Sequence, residues 1–185
     1  MHPTYPTGLV WFRRDLRTTD HPALALALQS CTQVHCVFVF DRDILEALPR
    51  QDRRVEFIQA SVAELDTDLR KLSGKPTGGL ITSHAVAADE IPRLAAALQA
   101  KAVFAAHDYE PKALERDAAV EAALTAQGRV WVGVKDHVIF ERREVLTQTG
   151  KPYGVFTPYL RAWLARMGSE GPARHDGHEI GRAHV

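Results

Sequence analysis

Three arginines and an aspartate directly behind an apolar run are the residues of this 185-residue chain best placed for chemistry. Leu9, Val10, Trp11 and Phe12 form the run, and Arg13, Arg14, Asp15 and Arg17 follow it. Four consecutive apolar residues fit a strand covered on both faces in a parallel sheet. The charges then emerge at its carboxyl end, the edge where open α/β sheets take ligands and partner domains. Charge there is costly unless it is paired or used. Arg14 can pair with an anionic ligand; the plainer role for all four is ion pairing that holds a partner domain. Asp41, behind a second apolar run, can face the same crevice with Phe40 beside it, although core packing accounts for Phe40 equally well. Glu110 stands just before Pro111 at a helix start, where unpaired backbone N–H groups favour a carboxylate, so capping is its first expected role.

Generic catalytic patterns are missing. No G-x-G-x-x-G follows the first apolar run, and there is no G-x-x-x-x-G-K-[ST] or G-x-S-x-G anywhere. The two cysteines, Cys31 and Cys36, match neither a redox pair nor a zinc half-site, and Cys36 falls inside an apolar run as a small core residue. The nine histidines lack the close spacing of a metal site, so no metal is expected. Glu141-Arg142-Arg143-Glu144 reads as a solvated face. Lys and Arg total 23 against 23 Asp and Glu, and a zero net charge makes this a poor DNA-gripping surface.

Strands and helices alternate along the chain. Strands are expected at about 8–12, 34–40, 80–83, 102–106 and 129–134. Helices are expected from a cap at Asp20 with Pro22 in the first turn to about Gln29, and over 53–72, around Ile91, Leu94 and Leu98, and over 111–127 with Gly128 as a C-terminal cap. Within 53–72, Val55, Ile58, Val62, Leu65, Leu69 and Leu72 form one stripe at helical spacing. Residues 41–49 read as a loop. The pattern predicts an α/β fold, a five-stranded doubly wound parallel sheet of Rossmann type with helices on both faces, with its core in residues 1–134. Residues 135–167 read as a loop and short helix leading out, and 168–185 as the start of a disordered linker. The hydrophobic fraction of 45% is ordinary for a globular domain. No apolar run is long enough to span a membrane and the amino terminus has no signal pattern, so a monomeric cytoplasmic protein without a membrane partner is expected.

Four stretches, in order, resemble the DNA photolyase/cryptochrome family. They are Trp11-Phe12-Arg13-Arg14-Asp15-Leu16-Arg17; Phe38-Val39-Phe40-Asp41 with Arg53-Arg54-Val55-Glu56-Phe57; Asp108-Tyr109-Glu110-Pro111 with Arg116-Asp117; and Lys151-Pro152-Tyr153-Gly154-Val155-Phe156-Thr157-Pro158-Tyr159 with Ala162-Trp163. The resemblance implies an N-terminal α/β domain that hosts an antenna chromophore and docks on a larger helical domain, which holds FAD and damaged DNA. In such proteins light-excited reduced flavin donates an electron to a cyclobutane pyrimidine dimer, splits it and recovers the electron. Arg14, Phe40, Asp41 and Glu110 are then the expected antenna contacts. Folate-binding relatives carry an Asn-Glu pair shortly after the Tyr-Glu, where this chain has Lys112 and Ala113, so a deazaflavin-like or flavin antenna is expected over a folate. The family's tryptophan relay lies in the helical domain, which leaves Trp11 as core and Trp163 as packing.

The FAD-binding helical domain is absent from these 185 residues, so the chain is expected to be inactive in repair by itself. Its last residues, Glu179-Ile180-Gly181-Arg182-Ala183-His184-Val185, are the translation of GAGATCGGAAGAGCACACGTC, a common sequencing adapter. The expectation is a bacterial photolyase gene fragment ended by adapter read-through. A cryptochrome-like photoreceptor domain, or a stand-alone nucleotide- or flavin-binding module, is the alternative reading.

Overall fold

The computed structural model describes residues 3–75 and 77–170. In chain order its elements are β1 (Tyr5–Phe12), α1 (Pro22–Ser30), β2 (Cys31–Asp41), α2 (Arg42–Leu45), α3 (Arg53–Ser73), β3 (Leu80–Ala85), α4 (Ala87–Ala97), β4 (Ala102–Ala106), α5 (Pro111–Ala126), β5 (Val130–Val134) and α6 (Phe156–Glu170). The five strands form one sheet in the order β3-β2-β1-β4-β5, and every pairing is parallel. The expected five-stranded parallel α/β fold is therefore the one observed.

Side-chain alternation along the strands divides the core in two. Val10 and Phe12 of β1 join Cys36 and Phe38 of β2 and Phe104 of β4 on one face, under Leu24 of α1 and Val62, Leu65 and Leu69 of α3. Leu9, Trp11, Val37, Val39 and Val103 point the other way, against Ile91 and Leu94 of α4 and Val120 and Leu124 of α5. Burial on both faces is why the centres of these strands read as apolar runs. Each large side chain removed from water in this way contributes roughly 1.5–3 kcal/mol. The α3 stripe frays at its end, where Leu72 is exposed.

Several boundaries shift for identifiable reasons. β1 starts at Tyr5, because Tyr5 and Thr7 already pair with Cys31 and Gln33. The cap of α1 is His21, whose Nδ1 accepts the Leu24 N–H at 3.0 Å; Asp20, the expected cap, instead takes the left-handed conformation at φ 49°. The expected loop after β2 contains the single turn α2, where the Asp41 carboxylate accepts the Asp43 N–H. α3 is closed by Gly74, left-handed at φ 61°. α6 continues through Glu170, so positions 168–170 are helical and not the start of a disordered linker. The expectations for 171–185, including the adapter-like 179–185, lie outside the described residues.

β1 lies between β2 and β4, and the chain reverses its direction of winding there: β2 and β3 are laid down on one side and β4 and β5 on the other. That switch point opens a crevice between the carboxyl ends of β1 and β4.

Candidate functional site

Arg13 leaves β1 at the crevice floor. Its Nη1 meets Asp117 Oδ1 of α5 at 2.6 Å, its Nη2 donates to the Ala106 carbonyl at the end of β4, and its guanidinium lies 4.6 Å over the Trp11 ring. Arg116 shares the Asp117 carboxylate at 3.1 Å and stacks 5.0 Å from the same indole. Trp11 is thus core, with an edge contact to Trp131. Two largely buried cations are balanced by Asp117 and, 4.0 Å from Arg116, by Asp41. Charges in so low a dielectric persist because each has a partner.

Arg14 stands at the crevice mouth with half of its side chain exposed. Its Nε donates to Asp108 at 2.9 Å, and its Nη2 meets Glu110 at 2.9 Å. Burial alone would lower the guanidinium, and the hydrogen bonds to Asp108 and then Glu110 carry it above its ordinary value. Asp108 is pushed up by burial, yet Arg14 and the Tyr109 N–H hold it below the usual carboxylate range. Asp15 and Arg17 serve other elements. The Asp15 carboxylate sits 2.8 Å from His21 Nε2, beneath the start of α1. Arg17 forks onto Asp136, which follows β5, and also donates to the Asp20 carbonyl.

Of the four residues expected at the site, the fold brings two together, Arg14 and Glu110. Glu110 occupies the cap position of α5 but makes no side-chain cap bond, so its carboxylate serves Arg14 and not the helix. Asp41 is buried on the α4 and α5 side, where it accepts backbone N–H groups from Asp43 and from Ala87 at the start of α4. Phe40 points to the opposite face and packs edge-on against Phe38 at 4.9 Å.

The run Glu141–Glu144 is a solvated face only at Arg142 and Arg143, which are exposed, whereas its two glutamates turn inward. The Glu141 carboxylate accepts the Tyr109 hydroxyl at 2.6 Å and lies 2.9 Å from His107 Nδ1. Burial raises it, and these two contacts bring it below its ordinary value; the Tyr109 phenol is pushed up by burial and then by Glu141. Glu144 accepts Lys135 Nζ and the Glu141 N–H. The roles of Asp108, Arg116, Asp117, His107 and Glu141 were missed in the sequence. Three of these five stand in the Asp108–Pro111 and Arg116-Asp117 stretches, which is the one signal that pointed toward them.

The enclosed part of the crevice, lined by Arg13, Arg14, Asp15, Ala106, His107, Asp108 and His137, amounts to about 10 Å³. That is room for about one water, against several hundred Å³ for an organic ligand. A chromophore ring does not fit inside it, whereas Arg14 and Glu110 at its mouth are exposed. A wider open groove of about 370 Å³ lies between α1 and the end of β5, lined by Pro22, Ala25, Leu26, Gln29, Val134 and Lys135, and contains none of the four expected residues.

An all-parallel α/β sheet with a charged crevice at its switch point is the architecture in which open α/β folds take their ligands. The profile of the DNA photolyase family matches residues 8–176. A deoxyribodipyrimidine photo-lyase of Synechococcus is 32% identical over 158 residues, covering 85% of this chain and 32% of that protein. Among solved structures, the bacterial class III photolyase of Agrobacterium tumefaciens superimposes with a TM-score of 0.75 at 27% identity, over 93% of this chain and 33% of that one. The archaeal photolyase of Sulfolobus tokodaii, described with two FAD molecules and a novel light-harvesting cofactor, gives 0.65 at 28% identity over 74% and 32%. The chain belongs to the DNA photolyase/cryptochrome family. It spans about a third of the length of the curated relatives it matches.

Proposed function

We propose that this chain is the N-terminal α/β domain of a light-dependent deoxyribodipyrimidine photo-lyase, which hosts an antenna chromophore and docks on an FAD-binding helical domain. The repair chemistry, the FAD and the damaged DNA belong to that other domain. The observation that carries the reading is Arg14, a half-exposed guanidinium at the switch-point mouth of a chain from this family. The crevice is too small to enclose a ring, so the chromophore lies against the mouth, covered from the far side by the helical domain. Arg14 and Glu110 are its proposed polar contacts, and Asp41 and Phe40, on opposite faces of β2, are not part of the mouth.

A deazaflavin-like or flavin antenna suits this chain better than a folate. Where the folate-binding pattern has Asn-Glu, Lys112 is exposed and Ala113 is buried in the first turn of α5, so neither offers the carboxylate and amide of that pattern. Among the described residues no helix is long and apolar enough to cross a membrane.

The test is an absorption spectrum of the chain purified from a host that makes folate, flavin and deazaflavin. A near-ultraviolet or blue band is expected, with most of it lost in Arg14→Ala and in Glu110→Ala. A colourless wild-type chain overturns the antenna part. Splitting of thymine dimers under blue light by the 185-residue chain alone overturns the assignment of repair chemistry to the other domain.

A further inference from the structure

We infer that Glu141 is the positioning residue of the crevice mouth: by gripping His107 and Tyr109 together it turns Asp108 toward Arg14, and through Glu144 it ties that mouth to α6. This rests on the reading of the mouth as the docking and antenna surface.

Three consecutive side chains are involved. His107 and Tyr109 both reach Glu141, at 2.9 and 2.6 Å, while Asp108 between them reaches Arg14 at 2.9 Å. In an extended stretch, alternate residues face the same way and the one between them faces the opposite way. One carboxylate holding 107 and 109 therefore sets the direction of 108. The grip is close-fitting: Gly133 of β5 lies beneath His107, where an added Cβ would come within 2.3 Å of its Nε2. His107 is also held along its backbone, its N–H donating to the Val134 carbonyl at 2.7 Å.

Glu141 is itself held in place. Its N–H donates to Glu144 Oε2 at 2.7 Å, and Glu144 is fixed by Lys135 Nζ at 2.8 Å. Arg166 of α6 donates to the Glu144 carbonyl and lies 5.1 Å over Phe140, whose ring meets Trp163 of α6 at 5.6 Å. A line of polar contacts thus runs from α6 through Glu144 and Glu141 to the extended 107–109 stretch, whose Asp108 reaches Arg14.

The experiment follows the Arg14 Nε–H by nitrogen-edited proton NMR in the full chain, with no ligand present. In the wild type this proton is expected to be protected by Asp108. In Glu141→Ala its exchange with water should speed up by about tenfold, the scale of one lost charge-assisted hydrogen bond, while the amide signals of β1 and β4 stay in place. Glu141→Gln keeps an acceptor for the Tyr109 hydroxyl and should restore most of the protection. If Glu141→Ala does not fold, Tyr109→Phe removes half of the grip and should give a smaller loss in the same direction. Unchanged Arg14 protection in a folded Glu141→Ala or Tyr109→Phe chain overturns the inference. Because the readout needs no chromophore, a colourless protein with the expected NMR result refutes only the antenna reading.

Discussion

Removing the imidazole of His21 should be the most damaging single change near the crevice, and the cost can be divided into parts. The ring is fully buried; its Nδ1 accepts the Leu24 N–H at 3.0 Å and its Nε2 faces Asp15 Oδ2 at 2.8 Å. Because Nδ1 accepts, the proton sits on Nε2. Among the described residues neither Nε2 nor that Asp15 oxygen has another polar partner. Losing a helix cap costs about 1 kcal/mol. Stranding a buried carboxylate costs about 3 kcal/mol or more. His21→Ala should therefore lose about 4 kcal/mol, a large share of a typical domain's 5–15 kcal/mol. His21→Asn keeps a cap acceptor but does not reach Asp15, and should lose about 1 kcal/mol less.

Acid should shrink the penalty. Burial pushes the Asp15 carboxylate up, but His21 and the backbone N–H groups of Arg13 and Asp15 outweigh it, leaving it below its ordinary value. A depressed folded-state value means stabilisation that is complete above the unfolded value of about 3.9 and lost as pH falls through the folded one. Urea unfolding measures this directly: with a slope of about 2 kcal/mol per molar, His21→Ala shifts the midpoint by about 2 M at neutral pH. The shift should narrow as pH falls below about 4 and close only below the depressed folded-state value, where the carboxyl is neutral in the folded wild type as well as unfolded. A loss under about 1 kcal/mol at neutral pH, or a penalty unchanged into acid, would refute the account of Asp15 as a buried charge held by His21.

Other consequences can be checked on the same material. Gly133→Ala should destabilise by about 1–3 kcal/mol through overpacking against the His107 ring, and His107→Ala should relieve it; thermal melts of the two single variants and the double one decide this. Asp136→Ala should cost about 1 kcal/mol, because it removes the carboxylate that holds Arg17 to the segment after β5 while water screens the part of Arg17 that is exposed; equal unfolding midpoints would refute that. Burial pushes the Cys31 thiol up to about 11 and Cys36 up to about 12, so at pH 8 about a thousandth or less of either is thiolate. Both should resist alkylation in the native chain and react promptly in urea, which mass spectrometry reads.

The elements were legible in the chain because their causes are local. Pro22 and Pro111 start α1 and α5, Gly74 closes α3, and the Val62, Leu65 and Leu69 spacing marks its buried face. Apolar runs at 9–12, 36–40 and 102–106 mark strands covered on both sides, and the alternation with helices implies the parallel sheet. The charge behind Phe12 likewise marked the carboxyl end of β1. What each charge does was decided only in three dimensions. Asp108, Asp117 and Asp136 lie 94 to 119 positions from the arginines they hold, and no local pattern encodes such a pairing. Strand alternation sent Phe40 and Asp41 to opposite faces, and a cap formed at His21 because its ring meets both Asp15 and the Leu24 N–H. Short-range propensity is a property of neighbours in the chain, whereas ion pairing depends on which strand ends the sheet order brings within a few ångströms. Residues 9–17 therefore announced a charged edge, and the β1–β4 junction determined that Arg13 closes it, Asp15 and Arg17 brace it, and Arg14 alone of the four stands half exposed at its mouth.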